Sequence, residues 1–196
     1  MVSGFDATGT AVKYIAAPTL KSVKNTVSGV KITWNARSGA VKYRVLRKAE
    51  NSTVWVRVGD TAKTSYVDKK ASSGTTYTYT VRCVSSDGKS MVSGYNAKGK
   101  TIRYIAAPVL KSAKNTAAGR VKIAWKASAG AVRYRVLRKT AGGSWEILGY
   151  TKSTSYTDKT VKKGVTYYYT VRCVTASGKS ATSAYNATGK KVTVKK

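Results

Sequence analysis

The chain has 196 residues and sets 37 lysines and arginines against 7 aspartates and glutamates, a formal charge of +30 at pH 7, with no histidine at all. The lack of histidine removes the commonest general base and metal ligand, and no apolar run approaches the roughly 18 residues that a membrane helix needs. So large a surplus of charge draws a protein to polyanions, whether nucleic acid, acidic wall polymers, anionic headgroups or acidic polysaccharides; the plain alternative is a solvated basic surface.

The chain repeats itself. Pro18 and Pro108 each close the phrase Y-I-A-A-P, at 14–18 and 104–108, which implies two domains of roughly 90 residues, the size of a single-core β-sandwich. The expected division is 16–105 and 106–196. Residues 1–10, M-V-S-G-F-D-A-T-G-T, match M-V-S-G-Y-N-A-K-G-K at 91–100, so 1–15 reads as the terminal strand of a preceding repeat or as an orphan strand. Met1–Tyr14 has no apolar h-region, so no signal peptide is expected there.

In chain order, a first strand is expected over about Thr19–Lys24, followed by a turn at Asn25–Gly29. V-K-I-T-W at 30–34 alternates Val30, Ile32 and Trp34 inward with Lys31 and Thr33 outward. V-K-Y-R-V-L-R-K at 41–48 turns Val41, Tyr43 and Val45 inward and Lys42 and Arg44 outward. V-W-V-R-V at 54–58 reads as an edge strand, and T-S-Y-V-D at 64–68 as a short one. The run G-T-T-Y-T-Y-T-V-R-C-V at 74–84 is the central strand: Tyr77, Tyr79, Val81 and Cys83 fall on one face, and Thr78, Thr80 and Arg82 on the other. A tight turn at Ser85–Lys89 follows, and Ser93–Asn96 and Thr101–Tyr104 finish the sheet. The second repeat keeps these phases, with Trp125, Tyr134 and Trp145 in the places of Trp34, Tyr43 and Trp55. It gains Arg120 in one turn and loses one residue at Thr140–Ser144. With one cysteine per repeat, Cys83 and Cys173 cannot pair within a domain and read as buried thiols. The joint Tyr104–Pro108 is short, apolar and ends in proline, which restricts the orientation of its neighbours.

Together, seven short strands per repeat, a tryptophan on the second, Tyr-x-Val on the third and Gly-x-x-Tyr-x-Tyr-x-Val near the end resemble a fibronectin type III module. The residues that carry the resemblance are Trp34, Tyr43, Val45, Tyr66, Tyr77, Tyr79 and Val81, then Trp125, Tyr134, Val136, Tyr156, Tyr167, Tyr169 and Val171. The resemblance implies an all-β chain, two immunoglobulin-like (fibronectin type III) seven-stranded sandwiches in tandem. It also implies that Tyr77 and Tyr167 are tyrosine-corner residues whose hydroxyls bond upstream backbone. Cys83 and Cys173 stand where the family more often has alanine. The phrases Y-I-A-A-P, S-G-A-V-K-Y-R-V and T-S-Y-x-D are similar to repeats of secreted or surface proteins of gut and rumen clostridia. Such modules commonly space catalytic, carbohydrate-binding or wall-anchoring domains, which implies an extracellular or cell-wall-associated place. No Arg-Gly-Asp occurs, so integrin binding is not carried over. Sandwiches of this kind host many unrelated roles.

No enzyme is expected. The acids are scattered, Asp68 and Asp158 end strands and suit turns, and neither a carboxylate pair for glycoside hydrolysis nor a cluster for calcium is present. No cofactor and no metal is expected. In a fibronectin-like sandwich the third and sixth strands are neighbours, so Lys42, Arg44 and Arg82 would cluster, with Arg57 adjoining, and Arg133, Arg135 and Arg172 would form the same anion-binding face in the second domain. Solvated, edge-protecting charge is the ordinary alternative. Trp55 and Trp145 are candidates for stacking on a sugar, against packing on the sheet edge. The expected role is a spacer or scaffold associated with an anionic cell-wall polymer or polysaccharide and with neighbouring domains of a longer chain; the alternative is a carbohydrate-binding or adhesive module. No specific nucleic acid and no membrane insertion are expected, since neither a groove-reading helix nor a stacking platform is visible. A remoter role for 1–15 is completion of a neighbour's sheet.

Overall fold

The computed structural model describes residues 15–116 and 119–195, so the strand expected over 1–15 lies, apart from Ile15, outside the described residues. The described residues form fourteen strands and no helix. The first repeat holds β1 (Leu20–Thr26), β2 (Gly29–Trp34), β3 (Lys42–Ala49), β4 (Val56–Thr61), β5 (Ser65–Asp68), β6 (Thr76–Val84) and β7 (Lys100–Arg103). The second holds β8 (Leu110–Asn115), β9 (Val121–Trp125), β10 (Arg133–Thr140), β11 (Glu146–Thr151), β12 (Ser155–Asp158), β13 (Thr166–Val174) and β14 (Lys190–Thr193). Each repeat is a sandwich of a three-stranded and a four-stranded antiparallel sheet, ordered β1-β2-β5 and β4-β3-β6-β7, then β8-β9-β12 and β11-β10-β13-β14. The chain is all-β, two seven-stranded fibronectin type III sandwiches in tandem.

The period of two fixes what each sheet buries. Tyr77, Tyr79, Val81 and Cys83 meet Val30, Ile32, Trp34, Tyr43 and Val45 in one core, and Tyr167, Tyr169, Val171 and Cys173 repeat this against Trp125, Tyr134 and Val136. The largest side chains, Trp34 and Tyr43, meet edge to face at 5.5 Å, as do Trp125 and Tyr134 at 5.4 Å, the arrangement that ring quadrupoles favour. Both cysteines are free and buried.

Four local expectations are corrected. Asn25 belongs to β1 and not to the turn, where it pairs with Val30. Val41 points outward and is exposed, because β3 begins only at Lys42. The fourth strand runs Val56–Thr61 and not 54–58, leaving Trp55 just ahead of it. A register shift between Val45 and Leu46 sets Gly59 opposite Val45 and Arg57 opposite Leu46. Glycine is needed there, since a Cβ on Gly59 would lie 2.3 Å from the Tyr66 hydroxyl, which donates to the Val58 carbonyl. Finally, Ser93–Asn96 is irregular: it leaves the ladder and crosses the outer face of β6, where Thr80 donates to the Asn96 carbonyl and the Cys83 N–H to Ser93 Oγ, each at 2.8 Å.

Asp68 and Asp158 are buried beneath the cores. Asp158 accepts from the Tyr169 hydroxyl and Arg138 Nη1 at 2.8 Å each, and from the Thr160 N–H and hydroxyl. Asp68 accepts in the same way from Tyr79, Arg47 and the Lys70 N–H. Burial would raise the pKa of Asp158, but the hydrogen bonds from Thr160, Tyr169 and Arg138 outweigh it and hold the carboxyl below its usual range. A carboxyl depressed in the folded state adds stability above its unfolded pKa, about 3.9, and loses that contribution as the pH falls through the folded value. Asp158→Asn should therefore cost about 2 kcal/mol at pH 7. In urea unfolding from pH 7 to 2.5, the gap between variant and wild type should begin to close near pH 4 and narrow steadily toward the acid end.

At the joint, two consecutive side chains enter different cores: Tyr104 is buried in the first and Ile105 in the second. Tyr104 is held by its N–H to the Thr75 carbonyl at 2.9 Å and by its carbonyl from the Gly74 N–H at 2.8 Å. Ser73 accepts from the Ala106 N–H at 2.9 Å and donates to the Ala129 carbonyl at 2.8 Å, across the boundary. Asn25 Nδ2 lies 3.0 Å from both the Arg103 carbonyl of its own domain and the Thr182 carbonyl of the next. Gly130, at φ +78°, comes so near the first domain that a Cβ would meet Gly74 Cα at 2.6 Å.

Candidate functional site

The outer face of each four-stranded sheet collects the cations singled out in the sequence. Arg44 lies directly across from Arg82, and Arg135 across from Arg172, because equal strand phase brings outward residues of adjacent strands together. The two clusters are chemically unlike. In the first, Arg44 is buried and donates through Nε and Nη2 to the two oxygens of Asp60, 2.9 Å each, and from Nη2 to the Gly88 carbonyl at 2.6 Å. Arg57 reaches the same carboxylate at 3.0 Å. Hydrogen bonding from Arg44 holds Asp60 below its usual pKa. Lys42 donates to the Ser86 carbonyl, and Arg82 to the Ser93 carbonyl at 2.8 Å. An open patch of Arg44 with its neighbours is thus replaced by a cluster carrying its own counter-charge, roofed by the connection from β6 to β7.

The second cluster has no such carboxylate, since Tyr150 stands where the first repeat has Asp60. Arg133 and Arg135 lie over its ring, 5.0 and 5.4 Å from the centroid, and Arg133 Nη1 donates to the Ala176 carbonyl at 3.0 Å. Arg172 donates only from Nη2, to the Ser183 carbonyl at 3.1 Å; the Nε atoms of Arg135 and Arg172 are both buried without a partner. Burial first, and the neighbouring Arg135 second, hold the Arg172 guanidinium below its usual pKa.

Trp55 and Trp145 are half-buried and belong to a file of alternating cations and rings. Lys48 Nζ stands 5.2 Å from the Trp55 ring, Trp55 meets Tyr95 edge to face at 5.8 Å, and Arg82 lies 5.5 Å from the Tyr95 ring. The second repeat builds the same file from Lys139, Trp145, Tyr185 and Arg172. Tyr95 and Tyr185 are the members that sequence reasoning missed. Their signal was the shared Tyr-Asn-Ala of 95–97 and 185–187, hidden by the expectation of a strand there. Beyond these surfaces, the Ser72 and Lys162 N–H groups donate to the Tyr77 and Tyr167 hydroxyls, five residues downstream of each, at 3.1 and 3.2 Å. Among the described residues, no group of three acids or cysteines is placed to hold a metal ion.

No protein-family model and no curated protein matches the chain. Solved structures do. They include the chicken CNTN1 FN1–FN3 domains, at 15% identity over 93% of this chain and 68% of that one with a TM-score of 0.39. A segment of two fibronectin type III domains from chicken tenascin has 14% identity over 93% and 100%, TM-score 0.45. The selenomethionine-substituted chicken interferon gamma receptor alpha chain has 13% identity over 95% and 100%, TM-score 0.48. At such values it is the strand order and the two-layer packing of this chain that define its fold.

The contrast between the clusters is testable. Asp60→Ala leaves the Arg44 guanidinium buried without a counter-charge and should destabilise the first sandwich by about 3 kcal/mol. Tyr150→Ala removes only surface cation–π contacts and should cost about 1 kcal/mol or less. Urea unfolding of the two variants measures both.

Proposed function

We propose that this chain is a non-catalytic spacer or scaffold segment of an extracellular or surface protein, one that sets neighbouring modules at a fixed angle. The observation that carries this reading is the joint, where Tyr104 and Ile105 anchor adjacent backbone units in opposite cores and Ser73 and Asn25 bridge the boundary. A tether meant for free movement would be rich in glycine and serine and would leave its side chains in water. Here any swing between the domains must withdraw an apolar side chain from a core, at a cost of about 2 kcal/mol or more. The net charge of +30 supports a second part of the reading: the module rests against anionic wall polymers or acidic polysaccharide, held by many weak contacts that salt screens. Arg133, Arg135 and Arg172, which lack a carboxylate partner, are better placed for that than Arg44 and Arg57.

Small-angle scattering tests the spacer. The wild-type profile should fit a single arrangement of the two sandwiches. Gly130→Leu, which drives a side chain into Gly74, should broaden the profile into that of a mixture while each domain remains folded by circular dichroism. A wild-type profile that already requires freely tumbling domains would rule the spacer reading out.

A further inference from the structure

Between the two sandwiches lies a groove of about 930 Å3 whose walls come from both domains. Val23 on β1 and Ile102 on β7 supply one side of an aliphatic floor and Val132 the other, with the buried Ile105 between them; Lys24, Arg103 and Arg172 stand around it. Strands β1 and β7 are both edge strands of their sheets. Among the described residues no acidic side chain lines the groove. Two lining residues also carry buried polar atoms without a partner: Asn25 Oδ1, an acceptor, and Arg172 Nε, a donor. Orphaned buried groups of this kind cost free energy until something satisfies them.

We propose that this groove is a docking site for an extended acidic peptide segment of a partner protein, with aliphatic side chains between its carboxylates. In an extended segment alternate side chains point to opposite sides. Every second residue then meets the floor of valines and isoleucines, and the carboxylates between them turn toward Lys24, Arg103 and Arg172. A carboxylate is also what the second cluster lacks by comparison with Asp60 in the first. The aliphatic floor favours a peptide over a sugar chain, because sugars are held on flat aromatic faces. The one aromatic ring of the groove, Tyr185, is already packed against Trp145 and Arg172. The groove shares Arg172 with the face proposed for polyanion binding, and Val132 and the aliphatic floor set it apart from that face.

The two repeats provide matched controls. Arg82 occupies the place of Arg172, and Val41 that of Val132, but neither lines the groove, and both valines are exposed. The probe is a fluorescein-labelled eight-residue peptide alternating glutamate and valine, followed by anisotropy with the full chain at near-physiological salt. Saturable binding is expected. Arg172→Gln and Val132→Glu should each weaken it by about tenfold, the scale of one charge-assisted hydrogen bond, while Arg82→Gln and Val41→Glu, identical in charge change, should alter it by less than about twofold. Val132→Glu changes an exposed side chain, so it reports on the groove even if Arg172→Gln disturbs folding. Three results would overturn the proposal: equal losses within each matched pair, equal binding of a glutamate–serine peptide of the same charge, or dependence on Arg172 and Val132 seen for polygalacturonate and not for the peptide. The groove rests on the fixed arrangement of the domains, since both supply its walls; the three results above would overturn the groove and leave the scattering result standing.

Discussion

The pleat of β6, repeated in β13, is the constraint from which the rest of each sandwich follows. Tyr77, Tyr79, Val81 and Cys83 commit one face of that strand to the core, and three of the four are tyrosine or cysteine, side chains with polar atoms that burial penalises. The inward face is therefore tolerable only if those atoms are met. Tyr79 places its hydroxyl on the buried carboxylate of Asp68, Arg47 supplies the charge that the carboxylate needs, and the Ser72 N–H caps Tyr77. Burial beside that carboxylate drives the Tyr79 phenol far above its usual pKa, which keeps it a donor under all ordinary conditions. Because Asp68 closes β5 in one sheet and Tyr79 lies on β6 in the other, one hydrogen bond fixes how the layers stack. Asp158 and Tyr169 do the same in the second repeat.

Most of this order was legible in the residues. Alternation marks Val30, Ile32 and Trp34 as unambiguously as it marks Tyr79 and Val81, because a strand half in water and half in a core leaves its period in the composition. The failures share one cause. Val41, Trp55 and Ser93–Asn96 stand beside strands and carry residues that would suit them, but a turn, a register shift and a crossing segment took them out of the ladder. Alternation reports which face a residue would take if it were paired; it does not report whether a partner strand is there. Neighbour relations across the sheet were recoverable once a sandwich was assumed, and Arg44 does lie across from Arg82. What escaped was the segment 85–99 folding over that face, since its hold on β6 comes through scattered bonds at Thr80, Arg82 and Cys83 and leaves no period to read.

Charge is distributed differently from what the composition suggests. In the first repeat a single carboxylate, Asp60, takes up Arg44 and Arg57, and carbonyl oxygens of the crossing segment take up Lys42 and Arg82. Cations bound to their own backbone lose freedom without losing charge, so they still contribute to the long-range field while offering few free donors at short range. The second repeat replaces that carboxylate by the face of Tyr150, a weaker partner than an ion. Two repeats with the same strand phases thus differ in chemical appetite, chiefly through Tyr150 in the place of Asp60 and Ile147 in the place of Arg57.

The joint has a mechanical consequence. When two modules are linked by a slack tether, a pull along the chain is absorbed by straightening the tether, and the modules feel it last. Here Tyr104 is bonded to Gly74 and Thr75 on one side, and Ile105 begins the next core on the other. Tension passes from one sandwich to the next with no compliant element between them, and a twist applied to one is carried into the other. Extension can begin only by stripping β7 or uprooting Ile105, so the connection yields under load no sooner than the domains it connects.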